Sequence, residues 1–428
     1  MFGIYLFIFA LLLSIAIGFV LKINAGYVAL LCAFVNGLFF YGFSVKKIVA
    51  MWPVSLFLMI LTVMLFYGFA LANGSIEVLA SNISYRTRKY PFLLPIVLWI
   101  FCTLVSASGA GSFGVFAFLS PIIMGIALKA GIPRLLAAAI IISGGSAGSL
   151  AATSVGGAVI QNYAAKVGYA DTASAIVGEV FWESLLIHFI LIILCYVAFR
   201  AWKLKPYEME KPAPLNEKQK KNLVIILVVL ALTLIPPFLY ALMPASTVLK
   251  LLKDSVDVTV TSTIGIVLCL LFKVSTEKEA LAKVPWATIM LICGIGVLIQ
   301  TAVEIGIVTT LSTWIEANVS GQAGVYILIL VSAVMSFFSS SLGVVVPTLS
   351  VLVPIMAEIT GRSPSFLFAA IVTTAMLTGF SPFSSAGALT MSGVPSEEER
   401  NKLFKYMLAA PVVLLVYMML VAATGIIR

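Results

Sequence analysis

The sequence predicts an all-α polytopic membrane protein, in which about ten transmembrane helices and two re-entrant hairpins form two inverted repeats. Its 428 residues are 62% hydrophobic and 10% charged, with a mean hydropathy of +1.15. This composition is typical of polytopic membrane proteins. In addition, two apolar stretches are interrupted by small and hydroxyl-bearing residues, in matching places of the two halves.

The interruptions lie at 106–113 and 339–348. In hydrocarbon an unpaired backbone N–H or C=O is costly, so such a break persists only where protein buries it or where water and a ligand meet it. A helix that ends there directs free amide groups at the gap, which favours an anion. Two such breaks at matching places indicate the binding site of a transporter.

The first half begins with a leading transmembrane helix in segment 1–24. It has no basic n-region and no convincing cleavage site, so we expect it to be retained. The first inverted repeat covers 25–201 and contains a re-entrant hairpin over 91–130, because each arm is short and the tip is rich in Gly and Ser. Its other predicted parts are spans over 27–43, 52–72 and 178–201, an interfacial piece over 75–90, and a span that starts at Pro133 and loosens at 144–149 and 153–157.

A cytoplasmic linker and a connecting helix over 222–243 are predicted within 202–257, where Lys and Pro are frequent. The second inverted repeat covers 258–428 and contains a re-entrant hairpin over 324–360. Its other predicted parts are spans over 258–273, 285–303 and 403–426, an interfacial piece over 308–320, and a discontinuous span over 363–394.

The two halves repeat at a nearly constant spacing. Up to the hairpins the spacing is close to 233 residues, and it is 231 residues after them. Five crossings separate equivalent points, and an odd number makes the repeats inverted in the membrane. The matched pairs are Trp52-Pro53 with Pro285-Trp286, Ser106 with Ser339, Pro121 with Pro354, Pro133 with Pro364, Gly148 with Gly379, and Ser154 with Ser385.

The charge of the loops predicts the orientation. Nineteen of the basic residues fall on one face of the membrane and seven on the other. The first face is therefore cytoplasmic and both termini are extracytoplasmic, in a multi-pass protein of a prokaryotic plasma membrane. The net charge of +9 indicates no nucleic-acid partner, since the basic residues lie in short loops. The five cysteines lie in apolar runs without ligand-like spacing, so we expect core residues rather than a metal site.

Four stretches carry a resemblance to a known family: 22–26 (Lys-Ile-Asn-Ala-Gly), 55–58 (Ser-Leu-Phe-Leu), 72–77 (Ala-Asn-Gly-Ser-Ile-Glu) and the Gly-rich block 144–157. They resemble the N-terminal region of the malonate/dicarboxylate carriers called MatC. Those carriers belong to the ion transporter superfamily, together with the divalent-anion:sodium symporters. The resemblance implies a scaffold part and a transport part, two opposed hairpins that flank one dicarboxylate, elevator-type movement and a homodimer.

The residue types at the breaks suggest how a dianion is bound. Neither Lys nor Arg occurs at the tips, so helix N-termini and hydroxyl groups must bind it. The alternative is that these small residues only let helices pack closely. The candidate substrate contacts are Ser108, Gly109, Ser112, Thr153, Ser154, Ser341, Gly343, Thr348, Ser384 and Ser385.

A neutral site suits a dianion that is accompanied by cations. Sodium prefers carbonyl and hydroxyl oxygens, and unwound backbone supplies them, so Gly111, Gly148 and Gly379 are candidate sodium contacts. Proton coupling needs a buried titratable group, for which Glu183 and His188 are the candidate relay. The alternative for His188 is a packed core histidine.

We therefore expect a secondary active transporter for malonate or another C4-type organic anion, coupled to sodium or to protons, with no further cofactor. Two alternatives remain from the sequence: the large membrane subunit of a binding-protein-dependent tripartite transporter, and an anion channel. No P-loop, nucleophile elbow or metal cluster is recognisable, so we do not expect an enzyme.

Overall fold

A computed structural model describes residues 2–21, 23–243, 246–255, 258–306, 321–394 and 397–425. This part of the chain is built from helices, and no strand occurs in it. The predicted all-α class is therefore confirmed. The predicted interfacial piece over 308–320 lies outside the described residues.

The helices of the first half follow the predicted order, with one short addition, α3. They are α1 (Phe2–Leu21), α2 (Ala25–Val35), α3 (Val45–Ala50), α4 (Val54–Ala72), α5 (Ser75–Thr87), α6 (Leu94–Val105), α7 (Gly111–Gly114), α8 (Ser120–Ala130), α9 (Arg134–Ser149), α10 (Val155–Ala164) and α11 (Ala173–Ala198).

The second half contains two short helices that were not predicted, α13 and α15. The connecting helix α12 begins five residues earlier than predicted, because Asn216 and Gln219 form a capping box at its N-terminus. The helices are α12 (Glu217–Leu242), α13 (Thr247–Ser255), α14 (Val258–Leu271), α15 (Glu277–Leu281), α16 (Trp286–Glu304), α17 (Gly321–Phe338), α18 (Val346–Leu349), α19 (Val353–Thr360), α20 (Pro364–Thr378), α21 (Ser385–Ser392) and α22 (Glu397–Thr424).

Four segments of the described chain are long and apolar enough to cross a membrane, and a bent pair, 57–72 with 75–87, gives a fifth. Seven shorter apolar helices accompany them. The chain is thus a multi-pass membrane protein, whereas the number of ten crossings remains a prediction. One of the four segments, Pro91–Ala130, has 40 residues. As a straight helix it would measure about 60 Å, roughly twice the thickness of the hydrocarbon core.

The segment Pro91–Ala130 is folded back on itself. Its first arm, α6, runs in the same direction as α9, since Trp99 Nε1 donates to Ser143 Oγ (3.1 Å) and Ser106 Oγ donates to Gly145 O (2.6 Å). Its second arm, α8, reaches α9 through a tight turn at Gly131 and runs the opposite way. The two arms are therefore antiparallel, as a hairpin requires.

The second broken segment is folded in the same manner. A Cβ atom placed on Gly321, at the start of α17, would lie 2.6 Å from Ile359 O, near the end of α19. The two ends of the segment are therefore adjacent. The Ser336 hydroxyl, near the end of α17, donates to Ala375 O of α20, and Gly361 forms the tight turn between α19 and α20.

The Gly-rich block of α9 is helical, and the predicted loosening at 144–149 is wrong. The break follows it, at 150–154. The glycines serve close packing instead, because a Cβ atom on Gly148 would lie 2.1 Å from the Thr103 carbonyl oxygen of α6. A helix without side chains on one face lets a neighbouring backbone approach closely.

Matching backbone geometry in the two halves corrects the predicted register of the repeat. Left-handed glycines end equivalent elements, and their spacing is 232 residues before the hairpins and 230 after them. Each spacing is one residue shorter than predicted. Ser106 therefore corresponds to Ser336, which makes the equivalent bond to α20, and not to Ser339. The glycine pairs are Gly74 with Gly306 and Gly131 with Gly361.

We predict that Gly148→Ala destabilises the protein by about 1–3 kcal/mol, because the added methyl group must displace the α6 backbone. Gly125→Ala in α8 is the matched control, since a Cβ atom at that position would have no other atom within 4 Å. Replacing a helical glycine there stabilises by roughly 0.5–1 kcal/mol. Thermal unfolding of both variants in detergent measures the difference, and equal midpoints would contradict this description of the α6–α9 contact.

Candidate functional site

The breaks of the two halves meet at a small cavity, which we call the tip cavity. Its volume is about 20 Å³, which is room for roughly one water molecule. Hydroxyl groups dominate its polar lining: Ser112 and Ser146 from the first half, and Ser339, Ser340, Ser341, Ser384 and Ser385 from the second. No charged side chain lines it in the described part of the chain.

Two glycines shape the tip of the first hairpin. Gly109 has φ +122° and Gly111 has φ +64°, so the backbone leaves the helical conformation between α6 and α7. Side chains also lie close to both positions. A Cβ atom on Gly109 would lie 2.3 Å from the Tyr67 ring, and one on Gly111 would lie 2.8 Å from Met64 Cε. The tip is therefore seated against α4.

The tip of the second hairpin ends in a capped helix N-terminus. The Ser340 hydroxyl accepts a hydrogen bond from Gly343 N (3.1 Å) and starts the helical turn over 341–345. The Ser341 hydroxyl donates to Ala375 O of α20 (2.8 Å). The cap and the anchor fix this N-terminus at the tip cavity, where its amide dipoles favour a negative charge.

A second capped N-terminus, that of α21, reaches the same cavity. The Ser384 hydroxyl accepts from Gly387 N (3.0 Å) and donates to Gly379 O (2.5 Å), which ties the start of α21 to the end of α20. Ser384 is 1% exposed. Two helix N-termini therefore converge on the tip cavity from the second half, an arrangement that binds anions without a fixed positive charge.

The equivalent break of the first half is arranged differently. The Thr153 hydroxyl donates to Ala107 O (2.5 Å) and thereby fastens the first tip to the segment between α9 and α10. Ser154 begins α10 but makes no capping bond, and its buried hydroxyl has no partner among the described residues. The first half thus contributes fewer polar groups to the cavity than the second.

Space for a larger ligand lies beside the tip cavity, in two adjoining cavities. The first, which we call the α1 cavity, has a volume of about 530 Å³ and lies between α1 and the serines Ser339, Ser340 and Ser385. The second, the Lys283 cavity, has a volume of about 420 Å³ and also reaches Ser385. Both volumes are in the range of small-molecule sites. Ser385 lines all three cavities.

A separate cavity of about 520 Å³ is lined by the start of α4, the end of α16 and the end of α10. Its charged groups include Lys166 and the ion pair of Lys47 with Glu304 (3.0 Å). It lies next to Pro53, as the Lys283 cavity lies next to the equivalent Pro285. The chain thus has a cavity at each of two equivalent places along α4 and α16.

The structure brings four of the ten predicted substrate contacts together at the tip cavity: Ser112, Ser341, Ser384 and Ser385. The other six do not line these cavities. Some of them hold the tips in place, as Ser108 does by donating to Val105 O (2.9 Å). Those six residues are Ser108, Gly109, Thr153, Ser154, Gly343 and Thr348.

The predicted sodium contacts lie at the breaks. Gly111 has left-handed backbone, and Gly148 lies against the first tip. Gly379 lies near the second tip, and its carbonyl accepts from Ser384. In the described part of the chain no group of three or more His, Cys, Asp or Glu side chains is placed to hold a metal ion. Sodium binding therefore stays a prediction.

The predicted proton relay lies away from these cavities. His188 is fully buried in α11, where Nδ1 bonds with Ser184 O (2.8 Å) and the His188 carbonyl accepts from Ser143 Oγ (3.4 Å). Glu183 is partly buried on the same helix. Neither side chain lines the tip cavity or its neighbours. A relay through them stays a prediction and would have to act through α9.

Several residues of the site were missed. Ser146, Ser339 and Ser340 lie in the serine-rich and glycine-rich runs that marked the breaks, so those runs were the available signal. Phe113 lines all three cavities, but its sequence neighbourhood gave no indication of this role.

Comparisons with known proteins agree with this geometry. Residues 2–149 match a family model described as the N-terminus of the dicarboxylate carrier protein MatC, which confirms the resemblance. A search of the curated proteins gives no significant match. Among solved structures, the YdaH transporter of Alcanivorax borkumensis, reported to have an unusual topology, is similar with a TM-score of 0.57 and 16% identity. The alignment covers 88% of this chain and 86% of that one, so the two share a fold.

Proposed function

We propose that this protein is a secondary active transporter of a small dicarboxylate, such as malonate or another C4-type acid. The observation that carries the proposal is the convergence of two capped helix N-termini and seven serines on a cavity between the two tips. Such groups bind an anion without covalent chemistry. The similarity to carriers favours transport over an enzymatic function.

In this proposal the two hairpins are re-entrant and the two halves are inverted repeats. The antiparallel arms and the matching left-handed glycines support that arrangement. Broken helices are tolerated at membrane depth where they line a cavity, and this is where the breaks lie. Both termini are then extracytoplasmic, in the plasma membrane of a prokaryote.

Elevator-type movement in a homodimer is the mechanism that we propose. The cavities support it, since they lie along the seam between the tips and the helices α1, α4 and α16. Sliding of the tips along this seam would expose the tip cavity first on the side of the Lys283 cavity and then on the side of Lys166.

Sodium is the coupling ion that we favour over protons. A dianion in a cavity lined by neutral side chains needs compensating charge, because an isolated buried charge is costly. Carbonyl and hydroxyl oxygens are abundant at both breaks, whereas Glu183 and His188 lie elsewhere. The alternatives are a large membrane subunit that depends on a soluble binding protein, and an anion channel.

Uptake into proteoliposomes tests the proposal directly. With the purified chain alone, we expect saturable uptake of radiolabelled malonate or succinate that is driven by an inward sodium gradient. A proton gradient without sodium should drive little uptake. Uptake only after addition of a binding protein would identify the tripartite alternative, and flux that does not saturate would identify a channel.

We also predict that Ser384→Ala raises the KM for uptake about tenfold, because it removes the cap of α21 at the site. Ser363→Ala is the matched control. Ser363 caps the start of α20 by accepting from Phe366 N (3.1 Å), and it does not line the three cavities. Both variants should lose about 0.5–2 kcal/mol of stability. An equal rise of KM in both would show that the effect of Ser384 is only structural.

A further inference from the structure

The Lys283 cavity contains the one kind of group that the tip cavity lacks, a fixed positive charge. Lys283 lines it together with Tyr67 of α4 and Ser385 of α21. Because the Lys283 cavity and the tip cavity both reach Ser385 and Phe113, a ligand can pass from one to the other along a continuous polar edge.

The position of Lys283 is set by a rigid local structure. A capping box of Thr276 and Glu279 starts α15, and the hydrogen bonds from Ser275 and Thr276 lower the pKa of Glu279 to about 2. The helix then packs closely on α4, since a Cβ atom on Gly68 would lie 2.6 Å from Ala280 O. Lys283 follows this contact and precedes α16, so its backbone is held next to Tyr67.

The Lys283 ammonium group is available for a ligand. It lies 5.0 Å from the centre of the Phe118 ring. Glu77 is close enough to interact with it electrostatically, yet within the described ranges no carboxylate lies within 4 Å of the ammonium nitrogen. Half-buried and unpaired, such a charge attracts an anion more strongly than an exposed one.

Tyr67 offers a second, independent sign of a missing ligand. Its side chain is 3% exposed, and its hydroxyl is buried without a hydrogen-bond partner among the residues that the structure describes. The Ser108 hydroxyl is nearby but donates to Val105 O and does not meet hydrogen-bonding geometry with Tyr67. A buried phenol normally finds a partner, and a carboxylate in the Lys283 cavity would accept its proton.

We propose that Lys283 and Tyr67 form a carboxylate-binding subsite in the Lys283 cavity, where an organic acid is held before it reaches the tips. The ammonium group supplies the charge and the phenol a directed hydrogen bond. This inference rests on the proposed transport of organic acids. It adds a station on α4 and the α15–α16 connection, outside both hairpins, and it gives the cavity a preference for anions.

Binding of radiolabelled succinate and malonate to the detergent-solubilised protein tests the subsite without requiring transport. We expect Lys283→Gln to raise Kd about tenfold or more, Lys283→Arg to stay within about threefold, and Tyr67→Phe to raise Kd roughly threefold to tenfold. Lys278→Gln, which removes an exposed charge from α15, is the matched control and should leave Kd unchanged.

The Glu77→Gln variant separates a ligand site from a structural ion pair. If Lys283 only neutralises Glu77, the double variant Glu77→Gln/Lys283→Gln regains wild-type affinity, which overturns the inference. If Lys283 binds the acid, the double variant stays as weak as Lys283→Gln. Tyr67→Phe keeps the ring against Gly109, so it remains informative even where a lysine variant unfolds.

Two further results are decisive. Wild-type affinity in both Lys283→Gln and Tyr67→Phe, with sodium-driven uptake intact, overturns the subsite and leaves the proposed function standing. Failure of the wild-type protein to bind or transport either acid overturns both.

Discussion

The whole arrangement depends on one constraint: polar backbone exposed at a helix break inside a membrane must be paired. Here the pairing is done by serine and threonine side chains that bridge separate elements. Ser106 binds the α9 backbone and Ser336 binds that of α20, and these two bonds occupy equivalent places in the two halves. The hydroxyls that remain, with the amides of two helix N-termini, face the tip cavity. Satisfying the breaks and building the site are therefore the same structural task.

The α-helical class and nearly all helices could be predicted, because long apolar runs separated by short polar loops have few other solutions. The exact breaks could not. Glycine and serine were taken as signs of unwinding at 144–149, but in α9 the same residues remain helical and serve close contact with α6. Sequence identity also misaligned the repeats by one residue, since Ser339 resembles Ser106 in type while Ser336 makes the equivalent bond.

For the site, the sequence indicated the right segments but not which side chains face inward. Ser341, Ser384 and Ser385 line the tip cavity, whereas Ser108, in an equally serine-rich run, turns back to its own helix. Lys283 and Tyr67 could not have been found, because they lie far from the breaks in sequence and are brought beside them only by packing of α15 on α4. In addition, the tips approach so closely that their cavity holds about one water. The acid must therefore bind in the adjoining cavities or require the tips to separate.

The central claim is that an organic acid binds where the second tip and the start of α21 face these cavities. A structure determined by electron cryomicroscopy with malonate or succinate and sodium measures this most directly. We expect density for the acid in contact with Ser340 and Ser385, between the tips and the helices α1 and α4. Density at another place, or continuous helices through 106–113 and 339–348, would contradict this claim.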